Sequence, residues 1–198
     1  MRKTVGLLSK FFLLYLVFQT NLVIAEPEKV IIYGDNHIFT VDRAENWILD
    51  RELAASQGIG SFFYPADNGS KTETYFYATG WEKPRKDSTL SEFIESNISQ
   101  IKQRFPDVTY KKVKQGTSGA IRQAWMYTYE NMGNRFKEEV IYLESDTTVI
   151  NLVFSTKSEA SYKKYVKDFD KMSSSFEYLS SDPEIIKKSL KDITTRSK

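Results

Sequence analysis

Between Ser88 and Pro106 the apolar residues Leu90, Phe93, Ile94, Ile98, Ile101 and Phe105 recur three and four positions apart, which predicts an amphipathic helix. Thr89 and Glu92 have capping-box spacing at its start, and Pro106 ends it. Beyond that proline the period falls to two, over Val108 to Val113, Ala120 to Tyr129, Phe136 to Leu143 and Thr148 to Ser155. Turn residues at Asn131-Met132-Gly133-Asn134 and at Ser145-Asp146 separate the later runs, so the pattern predicts an antiparallel meander of four strands. Helical spacing returns with Tyr162, Tyr165, Val166, Phe169, Met172 and Phe176, and Ser158 stands where an N-cap is needed.

Ahead of the first long helix, Val30 to Tyr33 and His37 to Val41 flank Gly34-Asp35-Asn36 and read as a hairpin. Ser61 to Tyr64 and Thr74 to Thr79 are two further strands, joined by the turn-rich Pro65-Ala66-Asp67-Asn68-Gly69-Ser70. The stretch between these pairs holds Gly58-Ile59-Gly60. A phosphate-cradling glycine loop lies between a strand and a following helix, because the helix N-terminus delivers N–H groups to the anion. Here the order is reversed: a short helix over Arg51 to Gln57, with Asp50 as N-cap, precedes Gly58, and a strand follows Gly60. Gly58 is therefore expected to end a helix at positive φ and to bind nothing. Past Tyr178, Asp182-Pro183 starts a short helix with Ile186, Leu190 and Ile193 along one side. Strands and helices in this order predict an α+β fold, an antiparallel sheet of about six to eight strands flanked by helices. The expected organisation is a signal peptide at 1–25, one domain over 26–178, and a polar tail at 179–198 carrying the short helix.

The leader changes the charge balance. MRKTVGLLSKFFLLYLVFQTNLVIA has a basic start, an apolar run from Phe11 to Phe18, and small residues Val23 and Ala25 before Glu26-Pro27. It reads as a secretory signal cleaved after Ala25, and its eight-residue apolar run falls far short of the roughly 20 residues needed to span a bilayer. Export to a periplasm or the extracellular space, with no transmembrane segment after cleavage, is expected. Arg2, Lys3 and Lys10 leave with the signal, so 25 basic face 26 acidic residues in the remainder. A nearly neutral chain gives no electrostatic reason to expect nucleic acid as a partner. Lys83/Arg85/Lys86 and Lys111/Lys112/Lys114 read as solvated faces. With no cysteine, disulfides, thiolate metal sites, thiol nucleophiles and lipidation at cysteine are excluded.

His37 is the single histidine, and Asp35 is the only carboxylate close to it in sequence. A transition-metal site has too few ligands there, and a partly exposed structural histidine is expected. No serine has the G-x-S-x-G context of a nucleophile. Asp50 and Glu52, and the adjacent Glu138 and Glu139, read as caps or solvated residues. Pairing with a distant acid would leave a hydrolase that uses carboxylates only as the alternative. No catalytic residue, cofactor or metal is expected. Asn68-Gly-Ser70 and Asn97-Ile-Ser99 match the glycosylation acceptor pattern. Among the aromatic residues, Trp125 alternates with Tyr127 and reads as core, whereas Trp81, in Gly80-Trp81-Glu82-Lys83-Pro84, reads as exposed on a loop and is the candidate contact for a ligand or partner.

Trp47-Ile-Leu-Asp50, Gly58, Phe63-Tyr64-Pro65, the Leu90–Phe105 helix, the meander and a last helix ending Met172-Ser-Ser-Ser-Phe176 together resemble small exported bacterial proteins of the PsbP-like fold group. The group is named for an extrinsic photosystem II subunit and includes a Ran-binding nuclear import factor. The resemblance covers most of the chain after the signal as element order and implies an α/β/α sandwich used as a non-catalytic binding or assembly module, with a protein partner or small ligand. No metal-binding or partner-binding residue of the group matches a position of this chain.

Overall fold

The computed structural model describes residues 28–68, 73–85, 87–118 and 121–188; the signal at 1–25 lies outside them, as do Ser70, Lys86, Leu190 and Ile193. Among the described residues, ten strands form two sheets. The larger has seven antiparallel strands in the order β3 (Trp47–Leu49), β4 (Ser61–Pro65), β5 (Thr74–Glu82), β9 (Thr148–Thr156), β8 (Lys137–Glu144), β7 (Ile121–Glu130), β6 (Thr109–Ser118). The smaller is β1 (Lys29–Gly34), β2 (His37–Asp42) and β10 (Glu177–Ser180). Helices α1 (Arg51–Gln57), α2 (Leu90–Arg104) and α3 (Glu159–Ser174) complete the α+β architecture. Residues 183–188 form a further helical segment. Among the described residues no helix is long and apolar enough to cross a membrane.

The meander forms as the period-two pattern requires, with β9, β8, β7 and β6 hydrogen-bonded in turn. Successive residues of each strand face opposite sides, so the sheet has two apolar faces and two cores. On one face, Phe63, Phe76, Leu152 and Phe154 pack with Phe169 and Met172 of α3 and with Ile32 and Phe39 of the small sheet. On the other, Tyr127, Tyr129, Val140 and Tyr142 receive Leu90, Ile94 and Ile98 of α2. The helices start where local chemistry places them. Thr89 and Glu92 make the full capping box, Ser158 accepts from Ser161 N at 3.1 Å, and Asp50 accepts from Leu53 N at 2.9 Å.

Gly58 closes α1 at φ +65°, its N–H reaching the carbonyls of Ala54 and Ala55. Gly60 has a different reason to be glycine: a Cβ there would lie 2.5 Å from Ile32 Cγ2 of β1 and 3.0 Å from the Ala78 carbonyl. Both glycines are accounted for by helix termination and close packing, and the strand that follows them belongs to the large sheet.

Three departures from the sequence pattern matter. The β1–β2 hairpin stands apart from the large sheet, because β2 is the centre of its own sheet and takes β10 as second partner, Glu177 opposite Thr40. The three-residue β3 pairs Trp47 with Pro65 and has no alternation of its own to reveal it. Strand β5 continues through Gly80 and Trp81 to Glu82, pairing with β9 as far as Thr148, so Trp81 sits on a strand end where a loop was expected.

Candidate functional site

Helix α2 spans only part of its face of the sheet, and an open groove of about 340 Å³ lies between it and strands β5, β8 and β9. Tyr77, Thr79 and Trp81 alternate along β5 into this groove, while Phe76 and Ala78 point into the opposite core. Helix α2 supplies Phe93, Asn97 and Ile101 as the facing wall, and Glu138 of β8 and Asn151 of β9 contribute polar groups from the sheet. Trp81 remains 49% exposed and lines the groove at the end of β5.

The polar groups differ in how well they are matched. Glu138 is 6% exposed and lies 3.7 Å from Arg135 Nη1. Burial raises its carboxyl above the ordinary range, and the Arg135 guanidinium opposes that shift. Arg135 is held in turn by a hydrogen bond with Tyr75. The Tyr77 hydroxyl is pushed up, first by burial and then by the Glu138 charge, so it stays protonated. Asn97 donates to Tyr142 Oη at 2.7 Å, and Tyr142 Oη lies 2.9 Å from Tyr129 Oη. Asn151 is 8% exposed, opposite Thr79 on β5 and Tyr142 on β8, and its Oδ1 has no hydrogen-bond partner.

Among the described residues, the groove holds no carboxylate pair, and Glu138 is the sole acid lining it. Glu139 faces the opposite core, buried and accepting from Tyr162 Oη at 2.6 Å, with its carboxyl raised by burial. Adjacent strand residues point to opposite faces, as the sequence implied, but both are buried and not solvated. Asp50 caps α1. Among the described residues no group of three or more His, Cys, Asp or Glu is placed to hold a metal ion.

His37 lies away from the groove and is buried, against the expectation of partial exposure. Its ring fits between Gly34 and Gly80, where an added Cβ would collide with the imidazole at either position, and it stacks on Phe39 at 5.7 Å. Desolvation lowers its pKa, opposed by Asp35. Lys83 is also buried and not solvated: its Nζ meets Glu144 Oε1 at 2.5 Å, a partner 61 positions away. Lys112, on the edge strand β6, stands 3.3 Å from the ring centre of Trp125, which is half-buried under it and packs against the α2-side core. Trp47 is core, donating from Nε1 to Asp168 Oδ2 at 3.0 Å. Asn97, of the second glycosylation-pattern tripeptide, lies within α2 and donates its side-chain amide to Tyr142.

Of the residues that line the groove, sequence reasoning singled out Trp81 and missed Asn151. The signal was present in Val149-Ile-Asn-Leu-Val153, where an asparagine interrupts an apolar strand at a position that alternates with valines.

No protein-family model matches the sequence, and no curated protein matches it. Among solved structures, the chain is similar to cyanobacterial PsbP (CyanoP) from Synechocystis sp. PCC 6803, at 16% identity and a TM-score of 0.53, over 80% of this chain and 96% of that one. LpqN, involved in cell envelope biogenesis of Mycobacterium tuberculosis, matches at 10% identity and a TM-score of 0.47, over 77% of this chain and 91% of that one. The Ran-binding protein Mog1p of Saccharomyces cerevisiae matches at 12% identity and a TM-score of 0.47, over 79% and 97% of the two chains. The large sheet between α2 and α3, with the small sheet beside α3, is thus a PsbP-like fold.

Proposed function

We propose that this chain is an exported, non-catalytic binding module that engages a protein partner or small ligand at the α2-side groove, with Trp81 as a contact residue. The observation that carries the reading is Trp81 itself, half exposed on a regular strand at a groove lined by buried polar groups. A strand holds a side chain in a fixed direction, and a fixed, exposed indole supplies contact area at little conformational cost. The single carboxylate that lines the groove among the described residues, already opposed by Arg135, favours binding over hydrolysis by paired acids. The basic, apolar and small-residue segments of residues 1–25 support export to a periplasm or the extracellular space.

Trp81→Ala in the chain beginning at Glu26 is the test. The expected result is a melting temperature within about 2 °C of the parent, as for an exposed position, together with loss of whatever co-purifies with the tagged parent from its own host. A fall of many degrees would place the indole in the core, and unchanged recovery of the partner would remove Trp81 from the contact.

A further inference from the structure

We infer that the α2-side groove, taken as the binding site proposed above, accepts a small, flat, mainly apolar molecule carrying one uncharged hydrogen-bond donor, which Asn151 Oδ1 receives. Asn151 lies on the central strand β9, hydrogen-bonded on both sides by β5 and β8. Its side chain shares a face with Val149 and Val153, so its burial is fixed by the sheet and it cannot turn outward. Buried side-chain acceptors in native proteins are nearly always paired, and one left without a partner on the wall of a groove marks where a donor is missing. The amide of Asn97, across the groove, is committed to Tyr142 and does not fill that role.

Charge and size narrow the ligand further. Glu138 and Arg135 already oppose one another, so a charged head group would leave a net charge in a partly dry site. Tyr77, Phe93, Ile101 and Trp81 offer aromatic and apolar surface in the groove that the unpartnered acceptor borders. The volume of about 340 Å³ is at the lower end of small-molecule sites and suits a body of about two fused rings.

The probes are 2-naphthol and its methyl ether, 2-methoxynaphthalene, which keeps the rings and lacks the donor. Titration of the chain from Glu26 onward, followed by the NMR signals of the Trp81 indole N–H and the Asn151 side-chain amide, reads both affinity and location. The expected result is roughly tenfold tighter binding of 2-naphthol, with both signals moving, and equal binding of the two probes to Asn151→Leu. The wild-type ratio needs no variant, so the comparison holds even if Asn151→Leu fails to fold. Equal affinities in the wild type, or a preference that survives in Asn151→Leu, overturn the assignment of Asn151. If the Trp81 signal still moves, the groove stands as a binding site without this donor rule. If neither probe binds while Trp81-dependent partner recovery persists, the small-molecule class is overturned and a macromolecular partner remains.

Discussion

The slot around His37 accounts for two glycines that the sequence assigned to a turn, Gly34, and to a loop, Gly80. Among the described residues, positive φ occurs at Asn46, Asn131, Gly58 and Gly133, not at Gly34 or Gly80. Those two are glycine because an imidazole fills the space of a side chain: a Cβ on Gly80 would stand 2.5 Å from His37 Cε1 and Nε2. Gly80→Ala should therefore destabilise by about 1–3 kcal/mol through overpacking. The same change in a His37→Ala background should cost at least about 1 kcal/mol less, a coupling that urea denaturation of the four proteins measures. Additive losses would show that the glycine serves the backbone and not the ring. Lys83 makes the same point about reach. Its place in a basic triplet suggested a solvated face, and only the return of β8 brings Glu144 to its ammonium group. Local composition carries no information about a counter-ion 61 positions away.

Elements whose signals are local were legible, and elements defined by a distant partner were not. Helices α1, α2 and α3 announce themselves through Asp50, Thr89 and Ser158 at their starts and through apolar stripes that repeat within a few residues. Strands β3 and β10 are three and four residues long. The first exists because β4 returns beside it, the second because β2 has a free edge after α3. The contrast between packing and backbone effects can be measured on two residues. Phe169 is fully buried, stacked on Phe154 at 5.2 Å and tilted against Phe76 at 5.9 Å. Phe169→Ala should cost about 3–5 kcal/mol, a large part of a domain's stability. At Gly58 an added Cβ meets nothing within 4 Å, so Gly58→Ala should cost only the left-handed backbone penalty of about 1 kcal/mol. Chemical denaturation that ranked Gly58→Ala above Phe169→Ala would overturn the view that α3 anchors the sheet.

At the scale of the whole molecule, the two faces of the large sheet are covered unequally, and this is what creates the groove. Among the described residues, one face is covered by α3 and the small sheet together, the other by α2 with Val108 and Met132. Alternation along a strand tells which residues share a face, but not which part of that face a helix will leave open, so Asn151 and Glu138 were not legible as groove residues; Trp81 was read as exposed from a loop placement, and it is exposed on a strand end instead. The sheet's edges are guarded in ways the sequence does show: β3 is very short, and β6 carries Lys111 and Lys112 with register shifts that break a flat edge. The C-terminal segment is the remaining question of extent. Strand β10 runs through Ser180, past position 178. Ser180 Oγ then accepts from Asp182 N at 2.9 Å, and Asp182 Oδ1 accepts from Glu184 N at 2.9 Å at the start of the 183–188 helix. Within that helix Ile185 is 51% exposed and Ile186 is 4% exposed. We propose that the domain includes this helix, and the adjacent isoleucines provide the control. Ile186→Ala should cost about 2–4 kcal/mol, as a buried isoleucine does, whereas Ile185→Ala should stay within about 0.5 kcal/mol of the parent. The two substitutions remove the same atoms from adjacent positions of one helix, so helix propensity largely cancels between them and the difference reports docking alone. Equal, small effects in urea denaturation would detach the segment and return the end of the domain to the neighbourhood of Tyr178.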